Sequence, residues 1–143
     1  MASKNVETVR AAHESWNRRD FDATVSAMAE NVSYIDRARN LQLQNRNEFK
    51  DWVIAWANAF SDAKIMNPQY TEAGDTVIAE FSAEGINDGP LGSFPPTGRR
   101  MSLSFCEIVQ FDASGRIVSG RIYYDQFTLL SQLGHAQSRA AAG

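Results

Sequence analysis

The hydrophobic period of the chain changes once, near residue 63, and no other feature limits the possible folds as strongly. Before this point apolar residues recur every three or four positions, as they do on one face of a helix. After it they alternate with polar residues over four runs, at 63–73, 76–86, 100–111 and 116–125. Helices followed by an antiparallel meander predict an α+β fold in which the helices pack on one face of a curved sheet.

Capping residues predict where the helices begin and end. Asp20, Asn47 and Asp125 are suitable N-caps for the second, third and last helix, because each side chain can accept a hydrogen bond from the first turn. Gly134 is suited to end the last helix, since glycine tolerates the left-handed backbone found at such ends. The apolar faces comprise Val6, Val9, His13 and Trp16 in the first helix, Phe21, Val25 and Met28 in the second, and Phe49, Trp52, Val53, Trp56 and Phe60 in the third.

Composition and charge exclude several classes of protein. Fourteen Lys and Arg against seventeen Asp and Glu give a net charge of −3, which argues against a nucleic-acid partner. One cysteine and two histidines are a poor ligand set for a metal, and no glycine-rich phosphate loop precedes a helix, so we expect neither metal nor cofactor. No apolar run reaches the ~18 residues of a membrane span, so we expect no membrane partner and a cytoplasmic location. We expect one domain over residues 1–143, with a frayed tail from 135.

Glu107 is the most informative candidate for chemistry. Alternation in the run 100–111 places it on the same face as Met101, Leu103, Phe105, Val109 and Phe111. A lone carboxyl among apolar side chains is desolvated, which predicts a raised pKa and a neutral acid that can donate to an oxyanion. The alternatives are a Glu paired with an arginine and a Glu at a strand edge that reaches water.

Asp36 is the second candidate. It ends a short strand predicted at 32–36, on the same face as Val32 and Tyr34, and a polar loop follows. A carboxylate at the mouth of an apolar hollow can act as a general base, whereas a turn aspartate before Arg37 is the alternative.

Other chemically capable side chains have simpler interpretations. His13 lies on an apolar helix face, which is typical of a hydrogen-bonded core histidine. Cys106 falls on the strand face opposite Glu107, where we expect it to pack as a small side chain. Trp16, Trp52 and Trp56 have helical spacing, so core packing is their first interpretation and pocket lining their second.

The order of these segments resembles the nuclear transport factor 2-like, or SnoaL-like, superfamily over nearly the whole chain. The resemblance is carried by Trp16-Asn17, by NVSYID at 31–36, and above all by two longer stretches. These are GINDGPLGSFPPTGRR at 85–100 and GRIVSGRIYYDQFTLLSQLG at 115–134. It implies a cone-shaped domain, in which three N-terminal helices pack on a strongly curved, mostly antiparallel sheet.

Ketosteroid isomerases, one branch of this superfamily, imply specific roles for three residues. Asp36 matches their general base, Glu107 their protonated oxyanion-hole acid, and Tyr124 an aromatic pocket position. Ala12 stands where those enzymes have a catalytic tyrosine, so one oxyanion donor is missing.

Two other branches match less well. Polyketide cyclases and limonene epoxide hydrolases have a catalytic aspartate where this chain has Ile122. Many relatives have a histidine where it has Asn87. An epoxide hydrolase is therefore a disfavoured alternative.

The leading hypothesis is a cofactor-free enzyme that performs acid/base chemistry on a small hydrophobic carbonyl or polyketide-like compound. Asp36 would abstract a proton, and Glu107 would donate to the resulting enolate. The remaining expected substrate-binding residues are Trp16, Tyr34, Trp52, Phe81, Asn87, Phe105, Ile122 and Tyr124.

Two hypotheses without chemistry remain open. A carrier or sensor predicts a closed apolar pocket in which Asp36 and Glu107 are separated or salt-bridged. A dimerisation module predicts a cone filled by its own side chains. Under every hypothesis the outer sheet face, with Ser119, Arg121 and Tyr123, is expected to form a homodimer, because many relatives dimerise.

Overall fold

The computed structural model describes residues 3–136, and their helices and strands follow the order expected from the change of period. The helices are α1 (Lys4–Asn17), α2 (Phe21–Val25), α3 (Arg46–Ala59) and α4 (Gln126–Leu133). The strands are β1 (Met28–Asp36), β2 (Leu41–Leu43), β3 (Lys64–Ala73), β4 (Thr76–Ile86), β5 (Arg100–Phe111) and β6 (Ile117–Tyr123). The predicted α+β class is confirmed.

The strands form one sheet in the order β2-β1-β6-β5-β4-β3. Only the β1–β6 pair is parallel, and all other neighbours are antiparallel. Helix α1 packs against β3 and β4, while α3 packs against β1 and β2. Buried side chains from the inner face of the sheet and from the helices form one hydrophobic core.

Register places five residues in one row across the sheet. Tyr70 on β3 pairs with Ala79 on β4, which pairs with Glu107 on β5; Glu107 pairs with Ile122 on β6, and Ile122 with Asp36 on β1. Adjacent strands lie about 4.8 Å apart, so the backbones at Glu107 and Asp36 are separated by roughly 9–10 Å. This row positions the candidate site.

Two of the predicted N-caps are confirmed and one is wrong. Asp20 accepts from the backbone N–H of Ala23, and Asp125 from that of Thr128. Helix α3 is capped by Asn45, two residues earlier than predicted, because its side chain accepts from the N–H of Glu48. Asn47 therefore lies within the first turn.

Two other boundaries differ from prediction. Met28 begins β1 instead of extending α2, and the supposed polar loop before α3 contains strand β2. Strand β2 has only three residues, too few for an alternating pattern to identify it.

The end of α4 is held by a predicted glycine. Gly134 has φ of +86°, and a Cβ there would come within 2.9 Å of the Arg99 guanidinium carbon. After it, the N–H groups of His135 and Ala136 both donate to the carbonyl of Leu130. The rest of the predicted frayed tail, 137–143, lies outside the described residues. Within residues 3–136, no helix is long and apolar enough to cross a membrane.

Candidate functional site

A cavity of about 100 Å³ lies between the helices and the inner face of the sheet. Its wall is almost entirely apolar and rich in aromatic rings. The exceptions that can carry charge are His13 from α1 and Glu107 from β5. The predicted substrate-binding residues in this wall are Trp16, Trp52, Phe81, Phe105 and Ile122.

The Glu107 carboxylate is held by two hydrogen bonds from different elements. The Nε2 of His13 lies 3.0 Å from one carboxylate oxygen, and the hydroxyl of Tyr34 donates to the other. Glu107 is 9 % exposed, so both bonds lie away from bulk water. The sequence had suggested an arginine or solvent as alternative partners for Glu107, and the structure shows neither.

These partners decide the charge of Glu107. Burial alone would raise the pKa of its carboxyl, but the hydrogen bond and charge of His13, together with the Tyr34 hydroxyl, hold that pKa below its ordinary value. The expectation of a raised pKa and a neutral acid is therefore wrong. Burial, and then the negative charge of Glu107, raise the pKa of Tyr34 well above its ordinary value, so this phenol remains a donor.

The hydrogen-bonded chain continues from His13 toward the protein surface. The Nδ1 of His13 lies 2.9 Å from the hydroxyl of Tyr70, whose side chain is only partly buried. With an ionised Glu107, the neutral ring carries its proton on Nε2 and accepts from Tyr70 at Nδ1. A protonated ring would keep both contacts, with Nδ1–H donating to the phenol oxygen.

Sheet geometry explains why one histidine reaches both partners. Tyr70 and Glu107 flank Ala79 in the same row, and the small, buried Ala79 leaves room above the sheet. His13 enters this space from α1, with its ring centroid 5.0 Å from that of Phe81. Phe81 in turn stacks on Phe105 at 5.3 Å.

The structure does not place Asp36 in the cavity wall, which corrects its expected position at the mouth of the apolar hollow. Asp36 is fully buried, and it accepts hydrogen bonds from Trp52 Nε1 at 3.1 Å, from the Tyr124 hydroxyl at 2.7 Å and from the Arg39 N–H at 3.1 Å. Ile122 lies between it and Glu107 in the row. These contacts connect β1 and the turn after it to α3 and to the residue between β6 and the N-cap of α4, an arrangement typical of a structural carboxylate.

Three more expected ligand contacts are likewise not found in the wall. Tyr34 directs its hydroxyl to Glu107, and Tyr124 directs its own to Asp36. The amide of Asn87 donates to the carbonyls of Ala59 and Gly89 and accepts from Thr97, so it fixes the loop between β4 and β5. All three polar groups form hydrogen bonds with other groups of the protein, which corrects their expected orientation toward a ligand.

Sequence reasoning missed the pairing of His13 with Glu107 and the contribution of Tyr70. A signal for His13 was present, because its helical face also carries Val9 and Trp16, which now line the cavity. No comparable signal existed for Tyr70, since only the strand register brings it within reach of His13. Within the described part of the chain, no group of three or more His, Cys, Asp or Glu is arranged to hold a metal ion.

Comparison with known proteins agrees with this architecture. The sequence model of the SnoaL-like polyketide cyclases matches residues 6–133. Among curated protein sequences, none matches significantly.

Many solved structures share the fold. A candidate SnoaL-like polyketide cyclase from Jannaschia sp. has a TM-score of 0.84 at 18% identity, with 96% of this chain and 99% of that chain covered. IdmH, a candidate polyketide cyclase from Streptomyces antibioticus, has a TM-score of 0.77 at 20% identity, with 92% of this chain and 99% of that chain covered. A protein with a ketosteroid isomerase-like fold from Catenulispora acidiphila was solved in complex with trimethylamine. It has a TM-score of 0.75 at 20% identity, with 90% of this chain and 92% of that chain covered. At these identities the likeness concerns the fold alone.

Proposed function

Because this chain belongs to the SnoaL-like polyketide cyclase family, we propose that it performs acid/base chemistry on a small, uncharged carbonyl compound bound in the cavity. The observation that carries the proposal is the buried Glu107 carboxylate in an almost entirely apolar wall, hydrogen-bonded to His13. A carboxylate held ionised in such a place is ready to accept a proton from a bound molecule.

Each member of the hydrogen-bonded group has a distinct role in this proposal. Glu107 abstracts a proton from a carbon next to the carbonyl group, and an enolate forms. His13 and Tyr34 keep the carboxylate ionised and oriented before the transfer. The protonated Glu107 then returns the proton to the same or another carbon, so the step needs neither oxidant nor metal.

The family resemblance supports moving the base to Glu107. Ile122 stands where cyclases of this fold have their catalytic aspartate, and Glu107 is its direct neighbour in the row. The acidic group of this chain thus lies one strand away from the usual position, against the same cavity.

The size of the cavity limits the substrate. About 100 Å³ is below the ~300–1,000 Å³ of pockets for drug-sized ligands and nearer the ~150 Å³ of an engineered cavity that holds benzene. A single ring or a short chain fits this space, whereas a fused polycyclic polyketide does not. The fold relative solved with trimethylamine also holds a small molecule.

Proton exchange provides a direct test. Cyclohexanone in D₂O would be followed by NMR, because loss of its α-proton signals reports enolisation whatever reaction follows. We expect Glu107→Gln to lower the protein-dependent exchange rate by about 10²–10⁴-fold, the usual contribution of a general base. Glu80→Gln, on an exposed position of β4, is the matched control.

Two outcomes would contradict the assignment. Exchange that survives in Glu107→Gln but disappears in Asp36→Asn would transfer the role of base to Asp36. Wild-type protein that binds cyclohexanone without accelerating exchange would favour a carrier. That second candidate is supported by a specific observation, the separation of Asp36 from the cavity and the pairing of Glu107 with His13.

We also propose a cytoplasmic homodimer formed through the outer face of the sheet. Tyr123 is 42 % exposed on this face, beside the partly buried Arg121 and Ile108. Light scattering should give twice the mass of the chain for the wild type and the mass of one chain for Arg121→Glu. In a two-fold dimer the substituted glutamates of the two subunits would lie on the same interface and repel each other. A monomeric wild type would refute the dimer.

A further inference from the structure

Three tryptophans line the cavity, and their indole N–H groups differ in one respect. The Nε1 of Trp16 donates to the carbonyl of Val53 at 2.9 Å. The Nε1 of Trp52 donates to Asp36 at 3.1 Å. The Nε1 of Trp56 is buried and has no hydrogen-bond partner among the residues that the structure describes.

An unpaired buried donor is unfavourable, because the indole loses its hydrogen bonds to water and gains none in return. An indole nitrogen can only donate, so only an acceptor can satisfy it. The aromatic rings that surround Trp56 place no hydrogen-bond acceptor within reach of its N–H group. Trp56 meets Phe105 and Tyr124 edge-on, at 5.8 and 5.4 Å between centroids, and it stacks on Phe60 at 6.1 Å.

The position of Trp56 relative to the proposed base is set by β5. Phe105, which contacts Trp56, lies two residues before Glu107 on the same inward face. Such neighbours are about 6.6–6.8 Å apart along a strand, close to the length of one six-membered ring with a carbonyl group. One small molecule can therefore contact both walls.

We propose that the Trp56 indole N–H donates a hydrogen bond to the oxygen of the cavity's ligand, so that this residue selects ketones over hydrocarbons of the same shape. The inference rests on the proposed function in placing a ligand in this cavity. It adds the ligand group that is recognised and the residue that recognises it. It does not depend on whether Glu107 transfers a proton.

The test compares two probes that differ only in the acceptor. Cyclohexanone carries a carbonyl oxygen where methylenecyclohexane carries a CH₂ group. We expect Trp56→Phe to weaken cyclohexanone binding by about tenfold, as for one lost hydrogen bond, and to leave methylenecyclohexane within about twofold. Affinities would be measured by NMR titration of the folded protein.

Trp16→Phe and Trp52→Phe are the matched controls, since both side chains line the same cavity but already use their N–H groups. These variants should change the affinities for the two probes by the same factor. A selective loss of ketone affinity in either control, or an equal change for both probes in Trp56→Phe, would overturn the inference.

A second measurement follows ligand binding to the wild-type protein alone. The indole N–H resonance of Trp56, identified by its disappearance in Trp56→Phe, should move downfield when cyclohexanone binds and stay in place with methylenecyclohexane. An unmoved resonance with cyclohexanone bound, or wild-type protein that binds neither probe, would overturn the inference.

The two proposals can fail separately. Ketone selectivity that depends on Trp56, without any α-proton exchange, would uphold the role of Trp56 and refute the acid/base proposal. Exchange that depends on Glu107, with ketone affinity unchanged in Trp56→Phe, would do the reverse.

Discussion

Replacing Tyr34 by phenylalanine removes one hydroxyl from the centre of the site and leaves the ring in place. That hydroxyl donates to the Glu107 carboxylate in a fully buried setting. A hydrogen bond to a charged group contributes about 1.5–3 kcal/mol, and the carboxylate would keep only His13 as a side-chain donor. We therefore expect Tyr34→Phe to lower the free energy of unfolding at pH 7 by about 2 kcal/mol.

The pH dependence of this loss follows from the charge of Glu107. Its pKa in the folded protein lies below the ordinary value of 4.5. The associated stability is therefore fully present above that value and disappears as the pH falls through the lower folded-state pKa. The variant, without the phenol donor, has a higher Glu107 pKa and less of this stability. The difference between wild type and variant should thus be largest at neutral pH and should shrink in acid.

Urea denaturation at pH 7 and at a series of pH values below 4.5, followed by tryptophan fluorescence, measures both quantities. Ser93→Ala is the matched control, because it removes one hydroxyl from an exposed residue in the loop between β4 and β5, and surface changes of this kind usually stay within about 0.5 kcal/mol. A Tyr34→Phe variant as stable as this control would refute the reasoning. So would a loss that grows in acid, since it would mean that the phenol favours the protonated acid.

Three further predictions concern the residues around the site. Asp36→Asn should destabilise the protein by about 1–3 kcal/mol in thermal unfolding, because the new NH₂ group cannot accept the hydrogen bonds that the carboxylate accepts. Its affinity for cyclohexanone should not change, and a large loss of affinity would mean that Asp36 contacts the ligand. Gly120→Ala should cost about 1–3 kcal/mol, since a Cβ there would lie 2.8 Å from Tyr34 Cδ2, and denaturation no different from that of wild type would contradict the packing. Asn87→Ala should speed amide hydrogen exchange within residues 88–98 far more than elsewhere, because its amide holds that loop; uniform exchange would contradict this.

The sequence by itself determined the local structure. The change of period from 3.6 to 2 separated the helices from the sheet, and alternation placed Glu107 on the buried face of β5. Asp125 and Gly134 marked both ends of α4, because caps act within a few residues of themselves. Where local signals were short or ambiguous, as in β2 and at Asn45, prediction failed.

Only the tertiary structure decided the charge of Glu107 and the membership of the site. Alternation shows that a side chain points inward but not what it meets there. The pKa of Glu107 depends on His13, 94 positions away, and on Tyr34, 73 positions away. Strand register places Ile122 between the two carboxylates and keeps Asp36 out of the cavity wall. Contacts of this kind arise from the docking of separate elements, and no periodicity within a single element encodes them.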